Sequence, residues 1–297
     1  MIIIATRIQH HNFNSSMPQY IQETCIMSKF SFNEETCIGC GVCVRICPKG
    51  LIRMDTDGPK MDEASAKRCN NCGQCVAFCP AKSAMQEFSR GVELEDALAY
   101  SSERGPTILK FLKSRRSERI YQPDPVPHET LMRILETANF APSGGNNRTI
   151  RWVVLENPAK TAELREMIAE WFDTVCRTHP VYSKRYAIDS ILERFRGGKD
   201  VILRGAPHVA YVIGPEKAVW GPVDTGIALA YFNLACEALD VGCCFAGYAT
   251  KAAEWDKVAD FIGVKPGEKV WCAICFGKKA MHAVRIPNRG KVPLTLL

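Results

Sequence analysis

The sequence predicts a mixed fold of helices and strands in two unequal parts, and three observations predict it. Eight cysteines near the front repeat one spacing, so a small unit there is organised around soft ligands rather than a large apolar core. The composition changes at Thr107, after a charged stretch that ends at Gly105-Pro106. Beyond that point helix-spaced apolar residues alternate with three short apolar runs of strand character. A chain of 297 residues has room for two such domains.

Composition sets the class. Hydrophobic content of 46% and charged content of 24% are those of an ordinary globular protein. The net charge of +6 is modest and forms no basic stripe, so nucleic acid is not an expected partner. No apolar run approaches the roughly 20 residues a membrane helix needs, so no membrane is expected either. Fifteen cysteines without a secretory signal point to a reducing compartment, and the cytoplasm is the expected location. Residues 1–29 read as a disordered leader by their mixed polarity, with Met17 or Met27 as alternative translation starts.

The cysteines carry the first chemical signal. Cys37-Cys40-Cys43-Cys47-Pro48 and Cys69-Cys72-Cys75-Cys79-Pro80 each read C-x2-C-x2-C-x3-C-P, the run that holds paired 4Fe–4S cubes in bacterial-type ferredoxins. Three closely spaced thiolates wrap three irons of a cube, and the fourth reaches across to the other cube. That assigns Cys37, Cys40, Cys43 and Cys79 to one cluster and Cys69, Cys72, Cys75 and Cys47 to the second. Structural zinc is the alternative for C-x2-C pairs, and the duplicated triplet with its Cys-Pro argues against it. The two halves form an internal repeat of cysteine loop and short helix, turned by Gly39, Gly41 and Gly73. Between them, 51–54 reads as a strand and 55–59 as a turn. The resulting small α+β ferredoxin-like domain covers 30–88, followed by a connector over 89–106 and a second domain over 107–297.

In the second domain a short helix is expected over 108–113, before the basic run Ser114-Arg115-Arg116-Ser117-Glu118-Arg119. A Pro-rich turn (123–127) leads to a helix marked by Leu131, Ile134, Leu135 and Ala138. Ala141-Pro142-Ser143-Gly144-Gly145-Asn146 is a loop, and 152–155, 209–213 and 271–276 read as buried strands. The stretch 160–203 is helical and studded with aromatics, of which Trp171, Phe172, Tyr182, Tyr186 and Phe195 are candidates for a wall over a substrate. From Thr225 to Leu239 only Asn233 and Glu237 are strongly polar, so this helix is expected to be buried nearly all round, partly by another subunit. Cys272-x2-Cys275 has the spacing of a redox pair, but its apolar run favours packing as the reading, and His208 is read as structural. No G-x-G-x-x-G follows a strand, so no dinucleotide-binding Rossmann unit is expected.

These segments, in this order, resemble the nitroreductase family of flavin enzymes over roughly 110–297. The basic run, the Ala141–Asn146 loop, Gly205-Ala206-Pro207-His208 and Gly242-Cys243-Cys244-Phe245-Ala246-Gly247-Tyr248 carry the likeness. The whole chain is similar to ferredoxin–nitroreductase fusions. The resemblance implies an α+β homodimer with FMN at each of two interfacial sites. It implies that Arg115, Arg116, Ser117 and Arg119 hold the phosphate and ribityl chain, with Arg289 and Lys291 as a further phosphate contact. It brings Pro142, Ser143, Gly144 and Asn146 to the flavin of the partner subunit, and sets the backbone amides of Ala246 and Gly247 at the N5 edge, close to Cys244. The sequence departs from the family where Arg148-Thr149 replaces a frequent Gln-Pro; an arginine at the pyrimidine edge stabilises anionic reduced flavin.

The implied activity is reduction of a nitroaromatic, quinone or activated alkene, with electrons entering through the two clusters from a ferredoxin or similar donor. NAD(P)H remains a possible reductant. Two other readings compete: a flavin dehydrogenase that exports electrons through the clusters, and an electron-transfer module of a larger complex.

Overall fold

The structure, a computed structural model, describes residues 30–87, 94–99 and 101–297, and the chain divides into two compact units, 1–98 and 99–297. The expected leader over 1–29 lies outside the described residues. In the first unit, β1 (Ser31–Phe32) leads to the first cysteine loop and α1 (Val42–Ile46). A hairpin follows, β2 (Arg53–Asp55) and β3 (Gly58–Lys60), then α2 (Glu63–Arg68), the second cysteine loop, α3 (Gln74–Ala77) and β4 (Ala84–Met85). Strands β1 and β4 pair antiparallel and bring the two ends of the unit together.

The internal repeat holds at backbone level. Gly41 and Gly73, each following the second cysteine of its run, cap α1 and α3 in the same left-handed conformation, at φ 69° and 74°. Gly39 and Asn71 also correspond and share positive φ, Asn being one of the few side chains that tolerates it. Helix α2 has no counterpart in the first half; the Asp62 side chain caps it by accepting from the Ser65 amide at 2.8 Å.

In the second unit α4 (Arg104–Ser114) begins earlier than the apolar residues suggest, because Pro106 sits in its first turn, where no amide is needed. Helix α5 (His128–Ala138) precedes β5 (Arg151–Leu155). The aromatic stretch is three helices, α6 (Pro158–Thr178), α7 (Pro180–Tyr186) and α8 (Ile188–Arg196), broken at Pro180 and at Ala187 with φ 51°. Then come β6 (His208–Pro215), α9 (Gly221–Ala238), β7 (Val241–Phe245), α10 (Gly247–Ala252), α11 (Asp256–Phe261) and β8 (Glu268–Lys278).

The four strands form one antiparallel sheet in the order β5-β6-β8-β7. Val209, Tyr211 and Ile213 of β6 face a core shared with α6 and α8, while Ala210 and Val212 face one shared with α5 and α9. Helices cover both faces, which is why β6 reads as an unbroken apolar run rather than an alternation. Strand β5 is an edge, so Trp152–Val154 are only partly buried, against the expectation of a buried strand. Helix α9 buries one face in the single chain, and Val223 (50%) and Tyr231 (37%) are exposed on the other.

Candidate functional site

The cysteine unit gathers its thiols in two hollows. Cys37, Cys40, Cys43 and Cys79 line one, and Cys47, Cys69, Cys72 and Cys75 line the other. Each quartet therefore takes its fourth member from the opposite half of the repeat, in the arrangement the spacing predicts. The two crossing cysteines are equivalent: Cys47 Sγ accepts from the Leu51 amide and Cys79 Sγ from the Ser83 amide, both at 3.3 Å and both four residues on. Ala84 N also donates to Cys79 Sγ at 3.5 Å, and Gln86 Nε2 to Cys69 Sγ at 3.7 Å. N–H···S contacts of this kind set the charge a thiolate presents to iron. Burial pushes the Cys75 thiol up to about 12 and also raises Cys43, so metal must displace protons held at the centre of each loop.

In the second unit the basic run is tied to the sheet. The Glu118 amide donates to Cys243 O at 3.0 Å, and the Gln122 amide donates to Lys278 O at 3.0 Å. This lays 115–122 along the β7 and β8 edge and carries Arg119 to the Cys244–Gly247 segment. Arg115 Nη1 donates at 3.4 Å to Oδ1 of Asn233, a buried polar residue of the largely apolar helix α9. Arg116 and Arg119 turn back onto backbone carbonyls of their own segment, at Ser114 O and Ser117 O, each at 3.2 Å. None of Arg115, Arg116 and Arg119 pairs with a carboxylate among the described residues, so their charge is available to an anion.

A cavity of about 410 Å³ opens beside this run. Arg119, Cys244, Ala246 and Gly247 line it together with Trp171, Phe172, Tyr182 and Tyr186. The fifth aromatic candidate, Phe195, is absent from it; its ring packs in the core beneath Arg165, 5.9 Å from the guanidinium. The Ala246 amide is not available to a ligand, because it donates to Ala273 O at 2.9 Å as the ladder closes. The Gly247 amide, at the first position of α10, has no acceptor among the described residues, and open space lies where a side chain would project. Of the two amides expected at the flavin edge, the geometry leaves one.

The remaining site residues stand apart from this cavity. The loop of Pro142, Ser143, Gly144, Asn146 and Arg148 does not line it. The loop is fixed by Gly144, whose amide donates to Asp224 Oδ1 at 2.9 Å, and whose missing Cβ would sit 2.7 Å from the Trp220 ring. Arg148 is exposed at φ 48°, its amide donating to Ser143 Oγ at 3.0 Å. Arg289 and Lys291 are exposed in the coil after β8, and neither lines the cavity. His208 is structural: Nε2 accepts from the Val126 amide at 2.9 Å, Nδ1 faces Leu155 O, and burial lowers its pKa. Four lining residues went unnoticed in the sequence: Ile188, Ile202, Arg204 and Lys251. Arg204 holds a left-handed backbone (φ 65°) unusual for its type, but nothing in the letters marks it.

Comparison with known proteins agrees with this division. A 4Fe-4S dicluster domain model matches residues 36–83, and the nitroreductase family model matches 112–278. Nitroreductase NfnB of Mycolicibacterium smegmatis is 29% identical over 222 residues, covering 63% of this chain and 93% of that protein. An NADH dehydrogenase of Thermus thermophilus is 33% identical over 143 residues, 43% of this chain and 67% of its own. Among solved structures, a nitroreductase from Bacteroides fragilis with bound FMN has 26% identity and a TM-score of 0.53, covering 64% of this chain and 98% of that one. With a 4Fe–4S domain in front of it, and a family match over more than half its length, this chain belongs to the nitroreductase family of oxidoreductases.

Proposed function

We propose that this chain is an FMN-dependent oxidoreductase that draws electrons through two 4Fe–4S clusters and reduces an electron-poor small molecule of the nitroaromatic, quinone or activated-alkene class. The observation that carries it is the meeting, in one cavity, of an unpaired guanidinium, a free backbone amide and an aromatic wall. A planar, electron-rich cofactor with an anionic tail fits that donor set, and the B. fragilis relative is described with FMN bound. The cysteine quartets supply soft ligands in two separate sets, which suits two cubes.

Flavin bound there supplies hydride chemistry, and cubes supply single electrons. This chain's residues bind, orient and exclude water. Arg115, Arg116 and Ser117 take the phosphate and ribityl chain, with Arg115 held in place by Asn233. Arg119 offers positive charge, and the Gly247 amide orients the ring edge by hydrogen bonding. Trp171, Phe172, Tyr182 and Tyr186 form the wall against which an aromatic acceptor stacks. The loop from Pro142 to Arg148, with Arg289 and Lys291, completes the site of a second copy. That homodimer also covers the exposed apolar faces of α4, at Ile108, Leu109 and Leu112, and of α9. The donor is a reduced ferredoxin or a protein like it.

Oxygen-free isolation followed by iron, sulfide and flavin counts tests the proposal. Flavin bands over broad cluster absorbance are expected, with turnover of a nitroaromatic on addition of reduced ferredoxin. Isolation of a chain carrying clusters but no flavin would overturn it.

A further inference from the structure

Two cysteines that the proposed chemistry does not use face each other in the cavity wall. Cys244 of β7 and Cys275 of β8 are direct cross-strand partners in the antiparallel ladder. The neighbouring bond from Ala246 N to Ala273 O makes 244–275 a hydrogen-bonded pair, with Cα atoms about 5.5 Å apart. That separation lies inside the range a disulfide spans. Directly opposed residues project to the same face of the sheet, and both side chains belong to the same core and line the cavity. Cys275 Sγ lies 3.4 Å from Cys244 O. Arg119 and Arg204 line the same cavity, and a thiolate is the form such cations favour.

We propose that Cys244 and Cys275 are a redox-active dithiol, which a small-molecule disulfide entering the cavity oxidises to a Cys244–Cys275 disulfide. Cys244 is the attacking sulfur. A hydrogen bond from Cys275, with the charges of Arg119 and Arg204, lowers its pKa to about 6, while Cys275 is raised and keeps its proton. The Cys244 thiolate forms a bond to one sulfur of the disulfide RSSR, whose S–S bond breaks to release RS⁻. The Cys275 thiol then passes its proton to that thiolate and attacks the Cys244 sulfur, releasing the second half as RS⁻. One thiolate and one thiol are consumed, one RS⁻ and one RSH are released, and two electrons pass from the protein to RSSR. The dithiol shares its cavity with the cofactor proposed above, so the disulfide enters where that cofactor leaves room.

The fold contains its own control. Cys243 projects to the opposite face and contacts Cys236 of α9, and both are buried in the other core, away from the cavity. Access, rather than the mere presence of paired thiols, is what distinguishes the two sets. The test treats the intact, cluster-loaded protein with 2-hydroxyethyl disulfide under anaerobic conditions, then quenches in acid, alkylates and maps the cysteines by mass. In the native chain, residues 244 and 275 are expected to become cross-linked and lose both alkylation sites. Cys275→Ala is expected to trap one hydroxyethylthio adduct per chain on Cys244, and Cys275→Ser gives the same result should the alanine variant fail to fold. Cys244→Ser abolishes both products, and Cys236→Ala behaves as the native chain does. Full alkylation of both residues after treatment overturns the proposal, as does a cross-link confined to Cys236 and Cys243.

Discussion

The cysteine unit gathers Phe30, Cys43, Ile52, Cys75 and Ala84 as its buried centre, whereas the second unit buries Tyr211, Phe232, Phe276 and 35 further residues on both faces of a sheet. Two of the five residues at the first centre, Cys43 and Cys75, are members of the two cysteine quartets. Clusters held there, as proposed, would be part of the core, and without them the unit has little apolar surface to bury. The second unit has a packed apolar core on each face of its sheet, with its cavity beside one of them. One unit is organised by what it binds; the other binds on top of an existing organisation.

The largest effect that could break this contrast is metal removal. Extracting iron with a chelator is expected to abolish amide protection over 30–87 while β6 and β8 exchange as slowly as before. Hydrogen exchange followed by mass spectrometry reads both units in one sample. Native-like protection of α1 and α3 without iron would show that the first unit has a core of its own.

A large-to-small change in the second unit makes the converse test. Phe232 is fully buried, stacks on Trp152 at 5.3 Å between centroids and meets Phe276 edge-on at 5.5 Å. Phe232→Ala is expected to cost about 3–5 kcal/mol, seen as a lower thermal midpoint of the second unit. Cluster absorbance should persist through that transition. Loss of both signals at one temperature would mean that the units fold as one.

Legibility in the sequence follows the same contrast. Ligand spacing is local, so the cysteine runs give both the chemistry and the crossing of Cys47 and Cys79 directly from the letters. The second site is assembled from distant segments, and its motifs show only that Arg119 and Gly247 belong together. That the Ala246 amide is spent on Ala273 depends on strand register, which no motif records. Cys272 and Cys275 look like a pair in sequence, but three residues on a strand point them to opposite faces, and Cys275 instead meets Cys244 from another strand. Partial burial of β5 was equally hidden, since an apolar run does not say whether a strand is central or at an edge.

The smallest effect concerns charge. Arg151 of β5 reaches Glu268 at the start of β8 with two hydrogen bonds, 2.9 Å from Nε and 2.5 Å from Nη2, and also donates to Gly263 O at 2.7 Å. The Lys265 amide adds a further donor to Glu268 at 2.9 Å. These contacts, the arginine's first, hold the Glu268 carboxyl below the usual carboxylate range. A carboxyl whose pKa is depressed by folding contributes stability above its unfolded pKa and loses it as pH falls through the folded value. Glu268→Gln is therefore expected to lower stability by about 1 kcal/mol at neutral pH, a figure discounted for the partial exposure of the pair. Urea midpoints of the two proteins should converge in acid, where the native carboxyl is protonated as well. In the cysteine unit the carboxylates of Asp55 and Asp57 meet Lys60 at the exposed surface, so its acid response is set instead by protonation of the thiolates that hold iron. If Glu268→Gln shifted cluster release in acid as much as it shifts the urea midpoint, the two units would share one electrostatic balance, and the contrast between them would fail.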